Sequence, residues 1–313
     1  MTTILVAGSL NTDLVVHTPR FPQPGETISG EDLQVIPGGK GANQAVAAAR
    51  HGAQVSMLGR VGTDNFGDFL LENLKSNNVD SRYVQRDDAS TGTATIIVDA
   101  NGQNSIVLSA GANGKVSPAD MESASFAGFE LLLLQLEIPI PAVVAAARQG
   151  RQNGLQIILN PAPARDLPEE LLALTDYLIP NETELGLLTG MDVTDNSSAD
   201  RAAKTLLGRG VKTVIVTLGS KGALIVSDTQ VTPIESFKVN VVDTTAAGDA
   251  FIGGFAYQLL ESGGLLASSA QNASALQNAV RYACACGALA ATKFGAQPSL
   301  PTKEEVEEFL ARA

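Results

Sequence analysis

Two carboxylates bracket a run of very small residues in "VVDTTAAGDAFIGGFA", Val241 to Ala256, just ahead of an apolar helical pattern. The tiny side chains of Ala246, Ala247 and Gly248 let backbone N–H groups point outward together, and the apolar spacing from Phe251 onward starts a helix there. A helix start carries unpaired amides and attracts anions, so this one would hold the charge that builds on a transferring phosphoryl group. Asp249 falls in the first turn, where the dipole favours its ionised form, and is available as a base. An aspartate there is equally the ordinary cap of a helix, and the motif alone does not separate the two.

"IPGGKGANQAVAAAR" is a second small-residue entry into a helix. Gly38, Gly39 and Gly41 leave room for a ligand to approach the main chain, with Lys40 and Asn43 as polar heads; such turns are common, so the signal is weak alone. Three polar clusters follow apolar strand patterns: "NET" after "DYLIP", "GSKG" after "TVIVTL", and "LE" closing "LLLLQ". Ligands gather at the carboxyl ends of strands in an open parallel sheet, so these clusters share one crevice.

The elements that must position these residues are short β-branched runs such as "TILVAGS", "QVSMLGRVG", "LQIILNP" and "TVIVTLG", alternating with helical patterns such as "GANQAVAAARHG" and "DFLLENLKSNN". This rhythm predicts an α/β fold, a mainly parallel central sheet flanked by helices on both faces, formed by the chain as a single domain over 1–313. From about 12 to 37 and from about 90 to 111 the pattern changes to short alternating strands with turns, which predicts a small β-rich flap made of two inserted segments.

Composition narrows the chemistry. Hydrophobic residues make up 44% and charged ones 17%, as expected of a soluble globular protein. The net charge of -12 argues against a nucleic-acid partner. No window holds about 18 uninterrupted apolar residues, so no membrane span is expected. The N-terminus enters a strand pattern directly, without the features of a signal peptide, and Cys284 and Cys286, two apart on a helix, cannot easily bridge; a reducing cytoplasm fits. With only His17 and His51, each read as a surface or turn residue, a zinc site or histidine triad lacks parts. Carboxylates, backbone amides and a metal ion remain.

Together, "GGKGANQAVAAARHG" and "DTTAAGDAFIGGFA" resemble the two signatures of the ribokinase (PfkB) family of carbohydrate and nucleoside kinases, roughly two hundred residues apart in the expected order. The resemblance runs from "LVAGSLNTD" to "GAQPS", almost the whole chain. It implies a ribokinase-like three-layer sandwich whose small β lid covers the sugar and makes a homodimer contact. It implies that Asp249 accepts the proton of a sugar hydroxyl attacking the γ-phosphate of ATP, with the amides of Ala246, Ala247 and Gly248 as the anion hole. The implied sugar contacts are Asn11 and Asp13 of "NTD", Gly39, Lys40, Gly41, Ala42 and Asn43, Glu137 of "LQLE", and Asp249.

For the nucleotide the resemblance implies Asn181, the loop Thr217, Leu218, Gly219, Ser220, Lys221 and Gly222, then Gly248, Asp249 and Cys284. Cys284 departs from the family near the adenine, so the base pocket is expected to differ in detail. "PNETELGLL" matches the family's N-x-x-E element, in which Glu184 would hold Mg²⁺ through water; an acidic helix start is the other reading. Asp243, Thr245, carbonyls near Ala290, Lys293 and Gly295, and the hydroxyl of Ser299 would enclose an activating K⁺. "NTD", "FPQPGET", "GGKGANQ" and "NPAPARDLPEELL" stand closest to the ribose-phosphorylating members, which implies transfer to the 5-hydroxyl of D-ribose. Deoxyribose, another sugar or a nucleoside is the alternative. A nucleotide-dependent dehydrogenase should carry a glycine-rich fingerprint after "ILVAGS", and "SLNTDL" is not one. A non-catalytic sugar sensor would be expected to lack Asp249 or the amide loop, and both are present.

Overall fold

The computed structural model describes residues 3–263 and 270–313. In chain order its first half comprises β1 (Thr3–Ala7), β2 (Asn11–His17), β3 (Gln34–Gly38), α1 (Lys40–Arg50), β4 (Gln54–Gly62), α2 (Asn65–Ser76), β5 (Val79–Asp87), β6 (Gly92–Val98), β7 (Asn104–Ser109) and α3 (Pro118–Ser123). The second half comprises β8 (Leu131–Leu134), α4 (Ile140–Gln152), β9 (Gln156–Leu159), α5 (Glu169–Leu174), β10 (Tyr177–Leu178), α6 (Glu182–Thr189), α7 (Asn196–Leu207), β11 (Thr213–Thr217), β12 (Ala223–Ser227), β13 (Val231–Ile234), α8 (Ala247–Glu261), α9 (Ala270–Ala290) and α10 (Lys303–Arg312).

The larger sheet has the order β13-β12-β11-β10-β9-β8-β1-β4-β5. Pairing is parallel from β5 through β11, and antiparallel only for β12 and β13 at one edge. Its strands are apolar on both faces because both are covered. In β1, Ile4 and Val6 join a core with Ala47 of α1, Phe255 of α8 and Val280 of α9. Leu5 and Ala7 point the other way, into a core with Val143 of α4 and Ala203 of α7. The run Leu131–Leu134 divides between the two cores with the same period of two. The half-polar strand β5 completes the β4-α2-β5 unit at one edge, whereas the antiparallel pair β12 and β13 at the other edge lies outside the β-α-β rhythm.

The smaller sheet has the order β3-β2-β6-β7 and its own small core of Val15, Ile36, Ala94 and Ile96. Its first segment differs from the expected series of short strands: residues 18–33 contain no strand, so two strands are joined by one long irregular loop. Only Gly8, Ser9 and Leu10 separate β1 from β2, which tethers this sheet to the centre of the large one.

His51 is a correction. Instead of lying at the surface it is buried beyond the end of α1, with Nδ1 3.0 Å from the Tyr282 hydroxyl and Nε2 3.6 Å from Cys286 Sγ. Burial pushes its pKa down to about 4, so it packs as a neutral ring. His17 ends β2, half-buried against Phe294. Cys284 and Cys286 are free and buried. Among the described residues no helix is long and apolar enough to cross a membrane.

Candidate active site

β1 and β8 are neighbours, but the chain proceeds from β1 outward through β4 and β5, and from β8 the other way through β9, β10 and β11. Such a reversal opens a crevice at the carboxyl ends of the strands. Ser9 and Asn11 follow β1, Glu137 follows β8, Asn160 follows β9, Asn181 follows β10, and Thr217 closes β11.

Glu137 ties the start of α1 to β1. Its Oε2 accepts from Ser9 Oγ at 2.6 Å, Asn11 Nδ2 at 3.3 Å and the Lys40 N–H at 3.1 Å. It thereby does the work of a cap, since the residue at that position, Gly39, has no side chain. The next amides are committed as well: Gly41 N–H donates to Ser9 Oγ at 3.3 Å, Ala42 N–H to Ser9 O at 2.9 Å, and Asn43 N–H to Gly39 O at 2.8 Å. Ala42 is buried and its amide is committed to Ser9 O, so that donor is not open to a sugar hydroxyl. The glycines also differ from their first reading. A Cβ on Gly39, whose φ is 89°, would stand 2.6 Å from Asn11 N, and one on Gly41 would stand 2.6 Å from Ser9 N. Their missing Cβ atoms let the helix touch the β1–β2 link, a use of these glycines that the sequence did not suggest.

Asp249 lies in the first turn of α8 and is only 6% exposed. Asn43 Nδ2 donates to its Oδ2 at 2.9 Å, and Gln44 Nε2 to its Oδ1 at 3.0 Å. Burial raises its pKa above the usual carboxylate range, opposed by the charge of Lys40 and by these two amides. Burial therefore outweighs the helix dipole, which on sequence was expected to favour the charged form. A carboxylate so raised is better matched to accepting a proton near neutrality. Burial also works against the charge of Lys40, but Asp249, Glu137, Glu184 and Asp13 together more than offset it, and its pKa is raised.

Burial, then the carboxylates of Glu137 and Asp249, push Asp13 up from 3.8 to about 7, with Lys40 opposing. Its folded pKa exceeds the unfolded one, so the folded state holds the proton more firmly. Stability is lost as pH rises from about 4 to about 7, and the loss is complete above that. Asp13→Asn is therefore expected to raise Tm by several degrees at pH 8 in the absence of sugar, with little change at pH 4. Equal shifts at both pH values in thermal melts would contradict this assignment.

In the turn before α8, Ala247 N–H donates back to Thr244 O at 3.2 Å, and Ala250 N–H donates to Ala246 O at 2.9 Å. The Gly248 and Asp249 amides sit in the first turn, where a helix supplies no acceptor of its own. The three-amide hole expected at Ala246, Ala247 and Gly248 thus loses Ala247 to an internal bond.

Two cavities meet at this loop. One, of about 780 Å³, lies against the small sheet and is lined by Asp13, Ile36, Ile96, Asp243, Thr245 and Gly295 among others. The other, of about 730 Å³, includes Asn181, Thr217, Gly219, Ser220 and Gly222 on one wall. Phe237, Val239, Val241, Cys284 and Ala288 form its apolar walls, with Thr244, Ala247 and Gly248 also lining it. Residues 243–248 therefore border both. The side chains of Leu218 and Lys221 do not line the second cavity: Leu218 is buried in a core cluster, and Lys221 is turned to Glu182 at 3.5 Å.

Asn181 and Glu184 form a reciprocal cap for α6, Asn181 Oδ1 accepting from Glu184 N at 2.8 Å and Glu184 Oε2 from Asn181 N at 2.9 Å. The helix-start reading is thus realised, and it leaves Oε1 free for another role. Burial raises the pKa of Glu184, opposed by the Asn181 N–H and by the charge of Lys40, with Asp249 reinforcing. Asp243 Oδ1 accepts from the Thr245 N–H at 2.9 Å and the Thr245 hydroxyl at 2.5 Å, while Oδ2 accepts from Gly295 N at 2.9 Å. Ala291 O accepts from Val242 N at 2.8 Å and Asp243 N at 3.3 Å. The 243–245 turn is thus stitched to the loop after α9, the loop of Lys293 and Gly295. Ala290 O accepts from Lys293 N, and the buried Ser299 donates its hydroxyl to Ala296 O.

Sequence reasoning missed Ser9, Gln44 and Asn160, and also Asn113, whose side chain accepts from Leu10 N at 2.9 Å and donates to Asn11 Oδ1 at 2.8 Å; all four are polar residues in apolar or small-residue surroundings, Gln44 beside Asn43. It also missed the wall from Phe237 to Val241, which has no period to read.

Residues 1–303 match the pfkB family of carbohydrate kinases. The chain is 41% identical to the ribokinase of Haemophilus influenzae, over 99% of each chain. It is 40% identical to the deoxyribokinase of Salmonella typhi, over 98% of each. The structure of Arabidopsis thaliana ribokinase complexed with ribose and ATP superposes with a TM-score of 0.88 at 33% identity, covering 99% of both chains.

Proposed function

The chain belongs to the pfkB family of carbohydrate kinases, and from that premise we propose that this sugar kinase transfers the γ-phosphoryl group of ATP to the 5-hydroxyl of D-ribose. The observation that carries the mechanism is a buried, doubly amide-held Asp249 beside a loop that borders both cavities. With sugar under the small sheet and nucleotide in the cleft lined by Cys284, the acceptor hydroxyl meets the γ-phosphate at that loop. Asp249 takes the hydroxyl proton as the new P–O bond forms and the bond to ADP breaks. The amides of Ala246, Gly248 and Asp249 hold the moving charge, and alignment does most of the rest.

Asn11, Asp13, Lys40, Asn43 and the remaining oxygen of Glu137 offer the acceptors and donors a polyhydroxyl ligand needs. The oxygen donors present fit hard cations. Glu184 Oε1 would hold Mg²⁺, which when bound neutralises phosphate charge. Oxygens of Asp243, Thr245, Ala290, Lys293, Gly295 and Ser299 would surround K⁺, which would brace the amide loop. The Lys293 ammonium is engaged with Glu305 at 2.6 Å, so only its carbonyl is offered. The small sheet would act as a lid and, through its edge strands, join two copies: β3 and β7 are unpaired edges bearing exposed Val35, Ile106, Val107 and Leu108. Two free cysteines accord with a reducing cytoplasm.

The 40% identity to a deoxyribokinase keeps 2-deoxyribose as the second reading. The test is kcat/KM for ribose, 2-deoxyribose, fructose and adenosine with MgATP and K⁺. A buried polar pocket rejects an analogue lacking one hydroxyl strongly, so ribose is expected to lead deoxyribose by about 100-fold or more. Parity or preference for deoxyribose would transfer the assignment to the second reading, and preference for adenosine would overturn both.

A further inference from the structure

Of the two side chains that donate to Asp249, one can turn over and the other cannot. Asn43 Oδ1 is buried without a partner, so its amide is fixed by Asp249 alone. Gln44 is built into a chain whose direction is set by the backbone. Ile179 O, which can only accept, takes Asn160 Nδ2 at 3.1 Å and so turns Asn160 Oδ1 toward Gln44. Gln44 Nε2 donates to that oxygen at 3.3 Å and to Asp249 Oδ1 at 3.0 Å, while Gln44 Oε1 accepts from Gln135 Nε2 at 2.6 Å. Gln44 and Gln135 are wholly buried. Turning the Gln44 amide over would set its oxygen against two acceptors in a fully buried place; Gln135, whose own Oε1 is buried without a partner, can turn as well, so the direction is set by Asn160 and Asp249.

We infer that Gln44 is a positioning residue for the reaction, its amide oriented by Asn160 and held in place by Gln135 so that it always presents a donor to Asp249. The inference rests on Asp249 being the proton acceptor. A donor that cannot rotate away fixes the carboxylate plane and leaves Oδ2, held by the freely turning Asn43, to meet the hydroxyl. The same donor steadies the ionised form against burial. The charged groups facing Asp249 are Lys40 from α1, Glu137 after β8, Asp13 from β2 and Glu184 from α6. These stay in place when Gln44 is changed.

The experiment compares kcat–pH profiles of the wild type, Gln44→Met, Gln135→Met and Asp249→Asn, each checked for folding by thermal melt and for nucleotide binding. Gln44→Met keeps length and removes the donor. Its acid limb is expected to move up by about one pH unit, so that at a pH on that limb its rate falls about tenfold. Gln135→Met leaves Asp249 untouched but takes the donor from Gln44 Oε1 and so loosens the Gln44 side chain, and should move the same limb the same way by less. A folded Gln44→Met with the wild-type acid limb, alongside an inactive Asp249→Asn, overturns the role of Gln44 alone. An active Asp249→Asn overturns the base reading and this inference with it. Should Gln44→Met be recovered unfolded, Gln135→Met decides, an unmoved limb overturning the inference.

Discussion

Asp249→Asn is expected to yield a folded, nucleotide-binding protein whose kcat has fallen by about 10²–10⁴-fold, the range a general base contributes. Folding should survive because the neighbouring amides can adapt. The new side chain puts an NH₂ where Oδ2 was, against Asn43 Nδ2, and Asn43 has an unused buried oxygen that it can turn to accept it. Gln44 continues to donate to the retained oxygen. Replacing a buried carboxylate of raised pKa should also stabilise the protein at pH 8 relative to pH 4, by the sign worked out for Asp13. Sugar and nucleotide affinities should change little, since Glu137, Asn11 and the Cys284 cleft are untouched. Steady-state kinetics with equilibrium nucleotide binding checks this. A kcat within a few-fold of wild type would remove Asp249 from proton transfer and leave its burial as packing.

How far this site is legible without coordinates depends on where each residue sits in its element. Asp249 and Asn43 stand out because each is a polar residue in the first turn of a helix made of small ones. Gln44 stands next to Asn43 in the same quoted motif, yet helix geometry turns adjacent residues about 100° apart. Nothing in the sequence says that one carboxylate, reached from the start of another helix, accepts from both. Gln135 and Asn160 are harder still. Each is one amide after a run of buried aliphatics, and its partner is another chain segment. The glycines mislead for a related reason: a glycine that admits a ligand and one that admits another backbone look alike until the neighbour is known, and at Gly39 and Gly41 the neighbour is the β1–β2 link. The parallel core is read correctly because every residue of β1 and β8 obeys one rule, apolar on both faces. β12 obeys it too while the exposed edge strand β13 does not, and the addition of both to the edge follows from pairing across tight turns and not from any period.

The second large effect is expected from a residue that touches no ligand. Gly253 sits one turn beyond Asp249, where α8 crosses α1. A Cβ there would stand 2.4 Å from Ala47 Cβ, 2.8 Å from Ala48 N and 3.0 Å from Gln44 O. Two of these are backbone atoms, which cannot swing aside as a side-chain tip can. On the opposite side of α8, a Cβ at Gly254 would meet Cys286 Sγ at 2.4 Å, so the helix has no room to retreat toward α9. Gly253→Val must therefore push α1 and α8 apart. Overpacking of this kind costs about 1–3 kcal/mol, which for a chain of this size lowers Tm by roughly 2–5 °C. The effect on rate should be larger than that stability loss suggests. α1 carries Asn43 and Gln44, α8 carries Asp249, and a displacement of about 1 Å between reacting groups costs on the order of 100-fold in kcat. Gly208→Ala is the matching control, with φ of -60° at the end of α7 and no atom closer than 3.4 Å to its Cβ. It should melt and turn over as the wild type does. If Gly253→Val melts low but keeps its kcat, the crossing serves stability alone. If it loses both while still binding nucleotide, the contact of two bare helix backbones is what sets the distance from amide to carboxylate.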